Sequence, residues 1–519
     1  MSEQLALLPG YLTAHLQLVL FALLFASAIS VPLGVALSRS ARLEPPVLLL
    51  ASLVQTIPSL ALLAFMVPLL ALFGLPSIGY LPAFIALVLY GILPVLRNTV
   101  TGLATIDSAV SDSAKAVGMT PREQLLRVEL PLALPVIVAG LRTAIAWTVG
   151  MATLSTPVGG TSLGNYIFSG LQTRNYVSVL VGCIGAGLLA LVLDGLARLL
   201  LSGIEQRRRA RIWGAAGGFL GLYLYAGVSL ALSTWPGNAR PVLIGAKTFT
   251  EQYILGELLA ETVRREAGLP AAVLPSLGST VAFDALRNGQ IDAYVDYSGT
   301  LWATILKRQG RPPARQAVLN EVRDFLREQY GIHLLGSLGF ENAYALAMRR
   351  SRARELDIAT LSQLSPRTPE LSIGADYEFL ERPEWRSLVE VYGFHFSRSR
   401  SMDPSLLYQA IGNGSVDVIS AFSTDGRVDA LDLALLADDR GAIPPYDAVL
   451  LVGRRMAEHE PRVLRALESL LGRIDDRAMR RLNSLVDGAG QPPVQVARGF
   501  LDGSPQSGAT TSARPGAAH

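Results

Sequence analysis

Asp112-Ser-Ala-Lys-Ala-Val-Gly118, continued by Met-Thr-Pro-Arg-Glu-Gln-Leu-Leu-Arg-Val128 and Glu-Leu130-Pro131, is the stretch from which the rest of the chain can be read. It lies between two long apolar segments and carries the signals of two short helices meeting at a bend. Asp107 or Ser108 can cap the first helix. Gly118 can end it, because glycine takes the left-handed conformation after a helix without a Cβ penalty. Thr120-Pro-Arg-Glu123 fits a capping box with proline at the first helical position, so a second helix starts at once. Taken alone, the pair reads as an amphipathic connector packed on its own membrane domain; the spacing of the whole stretch carries more than that.

Working outward, apolar runs of about 20 residues, the length needed to cross a bilayer, recur around this loop. They lie at Leu16 to Leu37, Val47 to Phe73, Leu81 to Leu96, Leu132 to Met151, Val177 to Leu201 and Trp213 to Leu232. The second run contains Pro58 and Pro68. The polar pair Gln55-Thr56 beside Pro58 fits either a helix facing a protein interior or pathway, or a kinked structural helix. Arg39 and Arg42 follow the first run; Arg97, Lys115, Arg122 and Arg127 follow the third; Glu205-Gln-Arg-Arg-Arg-Ala-Arg211 follows the fifth. The alternate loops carry almost no charge, so the positive-inside rule puts the basic loops in the cytoplasm. The amino terminus and everything after the sixth run are then outside. The first run is read as a membrane helix rather than a cleavable signal, because no Lys or Arg precedes it.

Bulk properties agree. A chain of 519 residues that is 50% apolar and 17% charged, with a mean hydropathy of +0.37, is too long for one ordinary domain and too apolar to be wholly soluble. A net charge of +3 argues against a nucleic-acid binder. Cys183 is the only cysteine, which excludes a disulfide framework and a thiolate metal site. His15, His333, His395, His459 and His519 have no metal-ligand spacing. There is no Gly-x4-Gly-Lys-Ser/Thr phosphate loop and no Gly-x-Ser-x-Gly elbow. No catalytic constellation and no cofactor site is expected.

Beyond the polar link Trp235-Pro-Gly-Asn-Ala-Arg-Pro241, short β-branched runs alternate with amphipathic helical ones, as in α/β domains. Gly503 to His519, rich in Gly, Ser, Ala, Thr and Pro, reads as a disordered tail. Ala285-Leu-Arg-Asn-Gly-Gln-Ile-Asp-Ala-Tyr-Val-Asp-Tyr297-Ser-Gly-Thr300 aligns without gaps to Ala410-Ile-Gly-Asn-Gly-Ser-Val-Asp-Val-Ile-Ser-Ala-Phe422-Ser-Thr-Asp425, at a constant offset of 125 residues. Each copy reads as a helix closed by glycine, a strand, and a turn presenting an aromatic followed by Ser. Ile244-Gly-Ala and Ile373-Gly-Ala open the two halves. Two similar α/β lobes follow, with ligands expected at the carboxyl ends of their strands, in a cleft between them.

The spacing Asp-Ser-Ala-x3-Gly-x9-Val-x-Leu-Pro resembles the loop signature of ABC importer permeases, in which Glu and Ala are usual where this chain has Asp112 and Ser113. In that family the helix pair docks on a separate ATPase. The resemblance implies that Asp112, Ser113, Ala114, Gly118, Leu130 and Pro131 form the ATPase-coupling loop. Val242 to about Asp502 resembles the substrate-binding domains of osmoprotectant and quaternary-amine uptake systems, the glycine betaine, carnitine and choline group. The matching stretches are Ile-Gly-Ala-Lys247-Thr-Phe-Thr-Glu-Gln, Asp-Tyr297-Ser-Gly-Thr300, Gly-Phe-Glu-Asn-Ala-Tyr344-Ala-Leu-Ala, Glu-Phe-Leu-Glu-Arg382-Pro, Ala-Phe422-Ser-Thr-Asp-Gly and Pro-Pro-Tyr446.

The expected architecture is an all-α polytopic membrane domain of the type I importer kind, residues 1–211, and a sixth helix with its linker, 212–241. An α/β two-lobed domain follows over 242–502, with lobe I at about 242–346 and 450–502 and lobe II at about 347–449; the tail is 503–519. A trimethylammonium group has no N–H to donate, so a receptor holds it by the negative faces of aromatic rings, each worth about 0.5 to 2 kcal/mol. Motif matching with the family implies that Tyr297, Tyr344, Phe422 and Tyr446 form this cage, with Phe422 standing where tyrosine is usual. Any one of these rings alone would more often be core. The same matching implies that Lys247, Thr300 and Arg382 hold a carboxylate; Arg382 offers a planar fork and Lys247 a point charge.

A cage plus a clamp suits a betaine better than choline. Ergothioneine, a betaine of a thiolated histidine, presents the same two ends. The resemblance further implies a bacterial cytoplasmic-membrane permease fused to its external receptor. Its expected partners are a separate ABC ATPase in two copies and a second copy of this chain. A membrane sensor would instead need a cytoplasmic signalling domain, and the interior segments here are short loops.

Overall fold

The computed structural model describes residues 2–173, 175–233, 240–308, 314–377, 379–402 and 404–503. Most of the link read at Trp235 to Pro241, and all but the first residue of the tail read at 503–519, lie outside the described residues. The chain divides into two compact units.

The first unit, which also takes in Gly245–Phe249 and Leu274–Ile291, contains the membrane helices α1 (Ser2–Ser38), α2 (Glu44–Thr56), α3 (Ser59–Leu72), α4 (Tyr80–Ala104), α5 (Ser108–Ala116), α6 (Pro121–Gln124), α7 (Leu130–Ala152), α8 (Gly164–Gln172), α9 (Tyr176–Glu205) and α10 (Arg209–Ser233). Among the described residues, five helices are long and apolar enough to cross a membrane, and the bent pair α2–α3 passes the same test only when its two halves are taken together. α4 packs against both α1 and α7, and α9 lies against α7 and α10. Small residues permit the close approach, as is general where lipid supplies no hydrophobic drive between helices. A Cβ on Gly140 would meet the Pro94 carbonyl oxygen of α4 at 2.7 Å. Arg142 of α7 pairs with Asp194 of α9 at 2.7 Å, and Arg198 reaches the same carboxylate at 2.6 Å. An isolated charge at the centre of a span costs about 2.5–3.5 kcal/mol, so such groups persist when matched.

The second apolar run departs from the single helix that both of its sequence readings assumed. It is two helices bent by 98°. Ile57 has ψ 127°, the extended conformation favoured before proline, and Pro58 supplies no N–H to continue the ladder. The freed Ile57 carbonyl accepts a hydrogen bond from the Tyr90 hydroxyl of α4, and Gln55 Nε2 donates to the Tyr90 carbonyl at 3.0 Å. Irregular backbone at membrane depth persists because α4 satisfies it. Pro68 sits inside α3 without ending it.

Among the described residues the carboxy-terminal domain carries ten strands: β1 (Val242–Lys247), β2 (Ala271–Leu277), β3 (Ala293–Tyr297), β4 (His333–Glu341), β5 (Tyr344–Arg349), β6 (Ser372–Ala375), β7 (Arg398–Ser401), β8 (Val418–Phe422), β9 (Leu433–Leu436) and β10 (Asp447–Val452). They form two five-stranded sheets of the same plan, β2-β1-β3-β10-β4 and β7-β6-β8-β5-β9. The internal echo is therefore structural. Helices 279–287 and 404–412 precede β3 and β8, with Gly289 at φ +66° and Gly414 at φ +76° turning the chain between helix and strand. The fourth position of each sheet is filled by an exchanged strand, β5 in the second and β10 in the first, both antiparallel to their neighbours. The chain thus passes between sheets just before Tyr344 and again just before Asp447. The boundaries drawn at 346/347 and 449/450 fall inside those two strands.

Candidate functional site

The exchange of β5 builds the ring cluster. β5 runs antiparallel to β8 in a register that sets Tyr344 directly opposite Phe422, so both side chains leave the same face and their ring centres lie 4.8 Å apart. Tyr446, the residue before β10, meets Tyr344 edge-on at 5.9 Å and 80°. Phe379 adds a fourth ring, 5.0 Å from Tyr344. The Arg382 guanidinium carbon lies 5.2 Å from the centre of the Tyr344 ring. The structure therefore brings Tyr344, Phe422, Tyr446 and Arg382 into one cluster.

Gly299 makes room for it. A Cβ there would meet two Tyr446 ring carbons and the Pro445 carbonyl oxygen, all at 2.9 Å.

Two buried carboxylates support these side chains, and neither was assigned a role from sequence. Glu384, 2% exposed, pairs with Arg382 through Nε at 3.2 Å and Nη2 at 3.3 Å and accepts a hydrogen bond from the Tyr446 hydroxyl. Burial, and then the Glu384 charge, push the Tyr446 hydroxyl well above its usual range. Glu251, also 2% exposed, accepts from the Tyr297 hydroxyl and from Asn342 Nδ2 on one oxygen, and from Thr424 and Asn483 on the other. Burial raises the Glu251 carboxyl, opposed by these hydrogen bonds.

Tyr297, the last residue of β3, is thereby anchored by its hydroxyl, which also accepts from Gln252 Nε2 at 3.1 Å. The Glu251 oxygen that accepts from Tyr297 also accepts from Asn342 Nδ2 at 2.9 Å, and the Asn342 backbone N–H donates to the main-chain carbonyl of Tyr446 at 2.9 Å. Lys247 closes β1, and Thr300 lies in the turn after β3; both are buried, at 3% and 9% exposure. Glu251 falls inside the motif Lys247-Thr-Phe-Thr-Glu-Gln, and Glu384 lies two residues beyond Arg382. Their proximity to assigned residues was the available signal; their burial was not readable.

The cytoplasmic stretch folds as its local signals require. The Asp107 side chain accepts from Ala109 N and caps α5, Gly118 follows α5 at φ +81°, and Thr120 and Glu123 form both halves of the capping box on α6. Asp112 is exposed and pairs with Lys115 at 3.1 Å, Ser113 Oγ donates to the Ala109 carbonyl at 2.7 Å, and Ala114 is buried. Leu130 and Pro131 open α7. Val110, Val117 and Leu126 leave apolar surface exposed along this loop.

A polytopic helical unit with a short helix pair between two of its long apolar helices, joined to a two-sheet α/β domain, has the make-up of the permease and the substrate-binding domain of an ABC importer in one polypeptide. Residues 28–206 match the family described as binding-protein-dependent transport system inner membrane component. Residues 240–503 match the substrate binding domain of ABC-type glycine betaine transport system. The ergothioneine transport permease/ergothioneine binding protein of Helicobacter pylori strain G27 is 31% identical over 462 residues, covering 86% of this chain and 81% of that one. The choline transport system permease protein of Bacillus subtilis strain 168 is 42% identical over 180 residues, covering 35% of this chain and 80% of that one. The carnitine transport binding protein of Listeria monocytogenes is 30% identical over 288 residues, covering 54% of this chain and 93% of that one.

The chain belongs to the glycine betaine, carnitine and choline family of ABC importers, as a fused permease and substrate-binding protein. It is an inner-membrane protein with its binding domain on the extracytoplasmic side. Membership implies a small-molecule ligand and an ABC ATPase partner.

Proposed function

We propose that the carboxy-terminal domain captures a quaternary-ammonium zwitterion of the betaine or carnitine type and delivers it to the membrane unit, which carries it inward at the expense of ATP hydrolysed on a separate chain. One observation carries this reading: the Tyr344 ring meets Phe422 at a tilt and Tyr446 edge-on, beside the guanidinium of Arg382. Ring faces attract a methylated cation, and a guanidinium attracts a carboxylate. Tyr297, Tyr344, Phe422 and Tyr446 are the proposed cage, and Lys247, Thr300 and Arg382 the proposed clamp. Loss of the hydroxyl at Phe422 leaves the ring face available.

Ergothioneine is the second reading. The Helicobacter protein named for it matches both parts of this chain in a single polypeptide, and this ligand also joins a trimethylammonium to a carboxylate.

Asp112, Ser113, Ala114, Gly118, Leu130 and Pro131 are proposed to form the ATPase dock. The exposed Val110, Val117 and Leu126 supply the apolar contact that such docking needs. The working assembly is proposed to hold two copies of this chain and two ATPase subunits. α10, carried by the same polypeptide, keeps the receptor tethered to its own permease at high effective concentration.

Titration of the purified full chain with glycine betaine, carnitine, choline and ergothioneine tests the ligand. Betaines binding more tightly than choline supports the cage and clamp; no binding of any of the four refutes it.

A further inference from the structure

We infer that Glu129 is the positioning residue that transmits movement of the ATPase-docking helices to the first membrane helix. This rests on the reading of α5 and α6 as the dock. Glu129 lies outside the residues singled out for that dock, in a five-residue π-helical turn, Leu125–Glu129, between α6 and α7. Such widened turns concentrate at functional positions, because the extra residue re-aims the side chains around it. Here the side chain that is re-aimed is a carboxylate, 5% exposed.

Two side chains hold it, and one of them reaches on to a third. The Arg39 guanidinium, immediately after α1, pairs with Oε2 across 90 residues of sequence. Gln124 Nε2, at the end of α6, donates to Oε1 at 2.8 Å, and the same amide donates to Ser111 Oγ on α5 at 2.5 Å. Gln124 is itself buried, at 6% exposure. Both carboxylate oxygens are thus held, one by the end of α1 and one by the dock. Separating them would strand a buried charge, which is far more costly than moving the two elements together. The dock and the cytoplasmic end of α1 therefore move as one block. α1 packs along α4 and α7, so that block reaches the helices at the centre of the permease unit.

The test uses the full chain coexpressed with its partner ATPase, purified together and reconstituted in liposomes. Three quantities are read: ATPase copurification, ligand-stimulated ATP hydrolysis, and uptake of whichever of glycine betaine and ergothioneine the unsubstituted chain transports. Glu129→Gln is expected to keep the ATPase bound while stimulated hydrolysis and uptake fall by roughly tenfold or more, because the neutral amide no longer holds the half-exposed Arg39 guanidinium and the link between the end of α1 and the dock is broken. Arg39→Glu is expected to do the same, and the exchanged pair Arg39→Glu with Glu129→Arg to recover part of the loss; a retained ATPase with lost coupling in the single variants is what a merely structural role would not give.

Unchanged coupled uptake in Glu129→Gln overturns the inference, as does loss of the ATPase from that variant, which would make Glu129 part of the dock's own fold. If Glu129→Gln does not accumulate in the membrane, Arg39→Gln takes its place, and normal coupling there overturns the inference equally. An unsubstituted chain that retains no ATPase refutes the docking reading itself, and the transmission through Glu129 with it.

Discussion

Replacing Tyr344 by leucine is the most informative single perturbation, because every ring of the cluster meets this one. Its ring lies 4.8 Å from Phe422, 5.0 Å from Phe379 and 5.9 Å from Tyr446, with Arg382 at 5.2 Å. Leucine keeps apolar bulk and removes the π face. The direct loss for a bound trimethylammonium is one ring, about 0.5–2 kcal/mol, or a factor of about 2–30 in Kd at about 1.4 kcal/mol per decade. The indirect loss falls on the clamp, since Arg382 loses the ring beneath its guanidinium. Affinity for betaine and carnitine, which have a carboxylate, should therefore fall further than affinity for choline, which has none. Tyr344→Phe keeps the ring and should bind within about threefold of the unsubstituted chain, because the cation is held by the π face and not by the hydroxyl.

The assay is isothermal titration of the detergent-solubilised full chain, with a thermal melt of each variant to establish folding. A folded Tyr344→Leu chain binding all four ligands with unchanged affinity would refute the cage.

Three further outcomes are expected. Gly118 has φ +81° and nothing within 4 Å of an added Cβ, so a substitution there acts through the backbone alone. Gly118→Val should cost about 1–2 kcal/mol of loop stability and uncouple uptake from hydrolysis, while Gly118→Asn, which tolerates the left-handed region, should stay coupled; equal uptake per ATP in both variants would disprove it. In the membrane unit, Asp194→Leu strands both Arg142 and Arg198 and should destabilise by about 1–3 kcal/mol, whereas changing Asp194 and Arg142 together to leucine leaves only the exposed Arg198 unpaired and should be milder. Detergent melting curves decide this, and a double variant less stable than the single one contradicts it.

Finally, burial raises Glu251 from its usual value of 4.5, so the folded chain holds that proton to higher pH than the unfolded chain does. Its contribution to stability therefore falls as pH rises through the window between the two values. The difference in melting temperature between the unsubstituted chain and Glu251→Gln should shrink or reverse as pH increases across that window. A pH-independent difference rules the account out.

Which features were legible in the chain follows from the range of the interactions that make them. The caps at Asp107 and Thr120 and the stop at Gly118 depend on partners within four residues, and the structure forms each of them. The apolar runs needed no partner at all, since their length is set by the bilayer. The repeat at offset 125 was visible because two like sheets impose the same helix, glycine and strand on both halves. Tyr344, Phe422 and Tyr446 were named through motifs, and the structure sets them side by side; that they do so through cross-strand register could not be inferred from their spacing.

What the sequence determined unaided is thus local or solvent-imposed: helix ends, membrane segments, the change from a lipid-soluble to an α/β composition, and the repetition within the latter. Only tertiary structure decided the rest. The 98° break at Pro58 is held by Tyr90 of another helix. The exchange of β5 and β10 sets which rings meet. Glu129, Glu251 and Glu384 are drawn into the interior by donors 90, 173 and 62 residues away. A carboxylate looks the same in sequence whether water or protein solvates it, and the donors that make its burial tolerable are assembled only when the chain folds.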